Sequence, residues 1–509
     1  MKKRLVLILC ALACVGLLSG CWQVEPLEEE SPELLQPGEI REEDGKRSLL
    51  PEQLALPYAP DQSLDPVTCP DGMQQVVSSL ICEGLFRLGP DFEPQPWLCA
   101  DYTASEDFTS YTFVLREGVT FSDGSPLTAA DVRSALNRAR TSERYQARLS
   151  GITAVSAGEG SVTVILSSPN SGLPALLDIP IVKAGSEALP IGTGPYLLSQ
   201  TEAGACLVAN QTWWQGTRQP TDRIALVEAA DLDTMLYRFT SRDVQLITAD
   251  LTGTSPISVT GDISYTDTDT TVFQYIGCNV TRQPLDDPAF RRALWIGTNR
   301  NRIVSAFLSG HGDATQFPVS PASPLYPSGL ERSYSRDDLT AALNLSSYTG
   351  SRTLTLLVNE ENSFKTSVAN ELAESFADAG IAISVRVLPW EEYTAALAAG
   401  DFDLYYGEVK LTADWNLIRL VGTSGSLNYG GWSSVQTDLL LSQYASATDR
   451  AAALEALCAH LRQQAPIVPV CFKATSVLVQ SGVAEALTPT MTEPFYGLSS
   501  CVFHLREGS

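Results

Sequence analysis

Residues 366–406, TSVANELAESFADAGIAISVRVLPWEEYTAALAAGDFDLYY, decide the class of the fold. Val368, Ala369, Leu372, Ala373 and Phe376 recur at helical spacing, and Gly380 follows as a C-cap. Ile381, Ile383, Val385 and Val387 then alternate with small or polar residues, the period of a strand. Trp390 to Ala399 is helical again and stops at Gly400, with Trp390 expected in the core at the helix start, and Phe402 to Tyr406 returns as a strand. This succession implies an α/β body with a largely parallel sheet.

The same pattern extends outward. Tyr111–Leu115 reads as a strand, and Ser122-Asp123-Gly124-Ser125-Pro126 as a turn. Thr128 and Asp131 make a capping-box signature before a helix whose inner face is Val132, Ala135, Leu136 and Ala139. Further strands are expected at 162–166 and 224–228, and a helix from Ala451 to Gln463 ahead of a strand from Ile467 to Phe472. No internal repeat is present, and 509 residues suffice for more than one lobe.

Composition narrows the function. The chain has 34 Lys+Arg against 59 Asp+Glu, a net charge of -25, which argues against a nucleic-acid partner because phosphate binding needs a basic surface. Its three histidines, His311, His460 and His504, are in no metal-ligand pattern. No G-x-S-x-G, S-x-x-K, H-E-x-x-H or phosphate-loop motif occurs, and Gly192-Thr193-Gly194-Pro195 describes a rigid turn rather than a phosphate cradle. No catalytic residue, metal or cofactor is therefore assigned.

The N-terminus reads as an address. Lys2, Lys3 and Arg4 precede an apolar run from Leu5 to Leu18, too short for a membrane span. Leu18-Ser19-Gly20-Cys21 resembles the bacterial lipobox, making 1–20 a signal peptide and Cys21 the lipid-attachment residue, the only membrane anchor. Residues 21–50, rich in acids between Glu25 and Asp44 with Pro26, Pro32 and Pro37, form an acidic flexible tether. Eight further cysteines (69, 82, 99, 206, 278, 458, 471 and 501) allow either disulfides or small buried hydrophobes.

Several blocks, in order, resemble the extracellular solute-binding proteins of peptide, dipeptide and nickel ABC importers. They are Leu64-Asp65-Pro66; Cys82-Glu83-Gly84-Leu85-Phe86, with cysteine where the family has tyrosine; the long match from Tyr111 through Gly124 to Val132; Gly192-Thr193-Gly194-Pro195-Tyr196; and Asn210 with Trp213-Trp214. Arg291-Arg292-Ala293-Leu294, Asn299 in place of the usual aspartate, Gly380-Ile381, Asp401-Phe402-Asp403 and Ala465–Pro469 complete the series. The resemblance implies a two-lobed α/β clamp of periplasmic-binding-protein type with an extra subdomain inserted in lobe I. Mapped here, 51–85, 186–268 and 475–509 build lobe I, 86–185 the insertion and 269–474 lobe II. The implied role is a lipid-anchored, extracytoplasmic, monomeric receptor that captures short peptides and delivers them to ABC permease subunits.

The resemblance also implies which residues meet ligand. Leu411–Asn416 resembles the stretch where peptide-binding members pair with ligand backbone, placing Asp414 against the ligand amine with Thr412 and Trp415 beside it; Leu411 stands where the family has tryptophan. Asn428, Tyr429 and Trp432 resemble a cleft-side loop, Cys82 and Glu83 the approach from lobe I, and Tyr275 and Asn279 the crossover into lobe II. The alternatives are a metal chelate, haem or an oligosaccharide in the same clamp, a peptide sensor, or an extracellular hydrolase, which would need a nucleophile–base pair that no motif supplies.

Overall fold

The computed structural model describes residues 50–506 apart from Asp71, Ala203, Ser255 and Pro256. The signal peptide, Cys21 and nearly all of the tether lie outside the described residues.

Three sheets organise the body. The first has four strands in the order Leu54–Tyr58, Arg223–Glu228, Gly204–Ala209, Tyr196–Thr201, with only the first pair parallel. The second, antiparallel, runs Cys99–Ala104, Ser110–Leu115, Ser161–Leu166, Ile152–Ala157. Helix Ala129–Ala139 packs on it, capped as expected by the reciprocal Thr128–Asp131 box, and buries Val132, Ala135, Leu136 and Ala139.

The third sheet corrects the expectation of a largely parallel arrangement. Leu354–Asn359 is parallel to both Ile383–Leu388 and Leu404–Lys410, and the βαβ reading of 366–406 holds there. The rest is antiparallel: Ile263–Cys278 pairs with Leu404–Lys410 on one side and Ile467–Gln480 on the other, and the latter also pairs with Leu246–Ala249 and Gly312–Ala314. A parallel sheet needs a crossover helix for every step, whereas these long strands pair by register alone. Strand Ile467–Gln480 runs well beyond Phe472 because Val477 and Val479 reach a second core, that of Leu54, Leu56 and Ile224. Its earlier residues Val468, Val470 and Cys471 belong to the core of Phe290, Leu356 and Phe376.

Other details follow from local chemistry. Helix Ser363–Ala377 ends with Asp378 at its C-cap, and Gly380, at φ 84, reverses the chain two residues later. Trp390 is 55% exposed, contrary to expectation, and stacks on Tyr393, because the helix start faces outward. The eight cysteines among the described residues are buried and unpaired, so they act as small hydrophobes. Gly192 and Gly194 are required by a close approach: a Cβ on either would lie 2.0 or 2.6 Å from the Ile81 carbonyl oxygen. Gly194 donates its N–H to that oxygen, and the Gly192 carbonyl accepts from Ser122 N–H, tying the turn to the loop that follows strand Ser110–Leu115.

Two glycines interlock with two tyrosines at the centre of the third sheet. Tyr275 is opposite Gly407 and Gly277 opposite Tyr405, so each ring lies over a glycine of the neighbouring strand. A Cβ on Gly277 would stand 2.0 Å from the Tyr405 ring, which Phe402, Tyr275 and Tyr429 hold in place. The expected cost of Gly277→Ala is about 3 kcal/mol, the upper end for overpacking, read by urea unfolding. Gly407→Ala, whose Cβ meets the Tyr275 ring at 2.6 Å, should cost less; equal stability of Gly277→Ala and the parent chain would refute the interlock.

Candidate functional site

A cavity of about 790 Å³ lies between the end of helix Met73–Ser79, the segments near Trp97 and Asn170, the central strands, and the segment after Leu404–Lys410. A cavity of this size suits a small solute. The ladder between Ile263–Cys278 and Ile467–Gln480 shifts register between Asp269 and Phe273, a bulge that turns Thr270, Thr271 and Val272 to the cavity wall.

Glu83 forms one wall in an unusual way. Its Oε1 accepts from the indole N–H groups of Trp97 (2.9 Å) and Trp213 (3.1 Å), and its Oε2 from Trp214 (2.9 Å) and the Thr193 hydroxyl (2.7 Å). Burial pushes its pKa up while these four donors pull it down. The carboxylate is thus committed to the protein, and Trp97 and Trp213 line the cavity with their aromatic surface. Cys82 also lines it; burial raises its thiol pKa, leaving it a poor nucleophile. Arg87 lies between Trp97 (4.7 Å) and Tyr496 (4.1 Å) and pairs with Glu493 at 2.5 Å.

Thr412 and Asp414 occupy the facing wall. Asp414 is 2% exposed; its Oδ2 accepts from Asn170 Nδ2 at 2.9 Å, and its Oδ1 from the Thr412 hydroxyl at 2.5 Å and Asn416 N–H at 3.3 Å. Tyr444 and Arg450 donate to its carbonyl. Trp415 takes φ 50, and its left-handed turn sends the two side chains apart. Its indole goes to the core, edge-on to Phe92 and Phe472, with Nε1 donating to Ser323.

The remaining expected residues do not line this cavity. Asn428 staples its own loop through Gly422 and Trp432; Tyr429 meets Tyr405 edge-on; Trp432 donates to Thr437 beneath Arg291. Tyr275 is buried with its hydroxyl 3.3 Å from that of Tyr405, and Asn279 holds Gly400 and Phe402 carbonyls. Motif matching specified none of these partners. It also passed over the cations that do line the cavity: Arg87, Arg144, Arg148 (paired with Asp178), Lys410 and Arg419. With Glu83, Asp178, Asp414 and Glu493 they bring both signs to one cavity, although acids greatly outnumber bases in the chain.

A sequence profile described as "Bacterial extracellular solute-binding proteins, family 5 Middle" matches residues 93–416, more than half of the chain. The glutathione-binding protein GsiB of Escherichia coli K12 is 25% identical over 419 residues, spanning 76% of this chain and 82% of the relative. Among solved structures, the nickel ABC transporter protein of Bacillus halodurans superposes with TM-score 0.74 at 19% identity, over 89% of this chain and 99% of that one. The periplasmic murein tripeptide binding protein MppA, in its unliganded open form, gives TM-score 0.73 at 18% identity, over 89% and 98%. The architecture is that of a two-lobed periplasmic binding protein.

Burial, aided by nearby Glu83, pushes Glu493 up to about 7 against the opposite pull of Arg87. A carboxyl whose pKa is raised on folding holds a proton that the unfolded chain has released, so stability falls as pH rises from about 4.5 to 7. Glu493→Gln should flatten that slope in melting curves taken across the window, leaving a residue from Asp269, which burial and Asp313 also raise to about 7. An unchanged slope in the variant would show that Glu493 stays ionised throughout.

Proposed function

The chain belongs to the bacterial extracellular solute-binding proteins, family 5, and from that premise we propose that it is a lipid-anchored receptor for short peptides, delivering them to ABC permease subunits. The observation that carries the peptide reading is the mixed charge of the cavity: cations and carboxylates converge on one enclosure in a chain of net charge -25. A short peptide carries an ammonium at one end and a carboxylate at the other, and needs both signs. The relative named for glutathione, itself a tripeptide, supports the same class.

In this reading Asp414 takes the ligand amine, which replaces Asn170 at Oδ2, while the arginines of the opposite wall take the carboxylate. Thr412 and Cys82 bound the ligand, and Glu83 acts by holding Trp97 and Trp213 as walls. The lobe boundaries of the sequence reading (51–85, 186–268 and 475–509; the insertion 86–185; and 269–474) belong to the proposal, as does the monomeric state. No chemistry on the solute is invoked. Extracytoplasmic placement rests on the family and on the leader, and anchoring on Cys21; among the described residues no helix is long and apolar enough to cross a membrane.

Thermal unfolding of the full-length chain with pooled short peptides tests the ligand class. Ligand at ~100 times its Kd adds about 2.7 kcal/mol, an easily read upward shift in Tm. The shift should vanish with N-acetylated peptides and in Asp414→Asn; no shift with either pool would sink the peptide reading and leave the family standing. For the anchor, Cys21→Ala should move the protein from the membrane fraction to the soluble one, and retention in the membrane would overturn lipid attachment at that residue.

A further inference from the structure

A second cavity, about 640 Å³, shares no lining residue with the first. It is bounded by helices Pro288–Gly297, Arg300–Phe307 and Arg336–Asn344 and by the segment around Arg332. Arg300, 8% exposed, sits in its wall. Its Nε donates to the Pro469 carbonyl and Nη1 to that of Thr298, its plane lies 4.7 Å from the Trp295 ring, and its buried Nη2 has no partner. No carboxylate pairs with it among the described residues, and burial pulls its pKa down to about 9. A buried guanidinium donor without an acceptor is uncommon and costly.

The surroundings extend the same charge. Arg292 is half-buried in the cavity wall and makes no side-chain hydrogen bond or ion pair among the described residues. Arg332 uses Nη1 on the Glu331 carbonyl; burial first, and the Arg332 charge second, lower the pKa of Arg462. Helix Arg300–Phe307 begins at the cavity, with Asn299 capping it by accepting from Arg302 N–H. Two acids also line the wall: Glu331, which accepts from the Tyr326 hydroxyl, and Asp338. Three arginines and a helix N-terminus against these two acids leave the cavity cationic, in a chain that is otherwise strongly acidic.

We infer that this cavity is a second binding site, separate from the interlobe cavity, for a small organic polyanion read through its phosphate or carboxylate groups. The oxyanion pairs with Arg292 and Arg332, whose planar forks suit bidentate contacts, in the field of the buried Arg300 guanidinium behind the wall. The volume exceeds that of a lone inorganic ion, and Trp295, Ile296 and Leu345 offer apolar wall for a carbon skeleton. Asn299, a neutral amide, caps the helix without adding a carboxylate to the site.

Calorimetric titration of the full-length chain with citrate and with pyrophosphate, at constant ionic strength set with sodium chloride, tests the site. At least one probe should bind saturably; citrate alone would mark a polycarboxylate site and pyrophosphate alone a phosphate site. Asn299→Asp retains the helix cap, so it should melt no lower than the parent while losing about tenfold or more in affinity, and the Arg292→Gln, Arg332→Gln double variant should lose at least as much. Both variants should keep the parent's response to interlobe ligands. No saturable binding of either probe, or parental affinity in both variants, would overturn the second site.

Discussion

The ladder between Ile263–Cys278 and Ile467–Gln480 is the constraint on which the rest depends. One strand serves several cores: Val468, Val470 and Cys471 are buried with Phe290 and Phe376, Phe472 with Trp415 and Leu457, and Val477 and Val479 with Leu54 and Tyr196. Hydrogen bonds along a ladder are set by register, so a slip of one residue would reverse the burial of every side chain in all of these cores at once. The one large irregularity, between Asp269 and Phe273, coincides with the cavity wall. Bulges bend a strand without ending its pairing, and here the bend supplies Thr270 and Thr271 to the site.

Around that ladder the cavity is built from groups that restrain one another. Glu83 holds three indoles and a hydroxyl, Arg87 is clasped by two rings and Glu493, and Asp414 is met by Asn170, Thr412 and Asn416. Fully partnered polar groups of this kind define the shape of a site before any solute arrives, because each buried donor or acceptor resists leaving its partner. The contact between Asn170 and Asp414 joins the segment after strand Ser161–Leu166 to the segment after strand Leu404–Lys410. In the proposed function it is the contact that an incoming ammonium group would replace.

Charge distribution separates two regions of one acidic molecule. The cavity at Glu83 and Asp414 mixes signs, and most of its charges have partners. The cavity at Arg300 gathers three arginines beside Glu331 and Asp338, and among the described residues none of the three is in an ion pair. In water a surface arginine needs no partner, but a buried guanidinium gives up hydration and regains it only through acceptors. Carbonyls of Pro469 and Thr298 do part of this for Arg300 and leave one nitrogen over.

Much of the local structure was legible in the residues alone. The Thr128–Asp131 box, the buried face of helix Ala129–Ala139, the Gly400 cap and the strand–helix alternation of 366–406 all depend on contacts a few residues apart, which side-chain type and spacing specify directly. Order of blocks along the chain also sufficed for the family. Tertiary structure alone decided that most of the third sheet is antiparallel, that Trp390 faces out, and that Trp415 turns to the core while Asp414, its neighbour, turns to the cavity. It alone made Glu83 the acceptor for Trp97, Trp213, Trp214 and Thr193. Those outcomes rest on partners tens to hundreds of residues distant, and a hydrogen bond or a packed ring is chosen by three-dimensional proximity, which no periodicity in the sequence encodes.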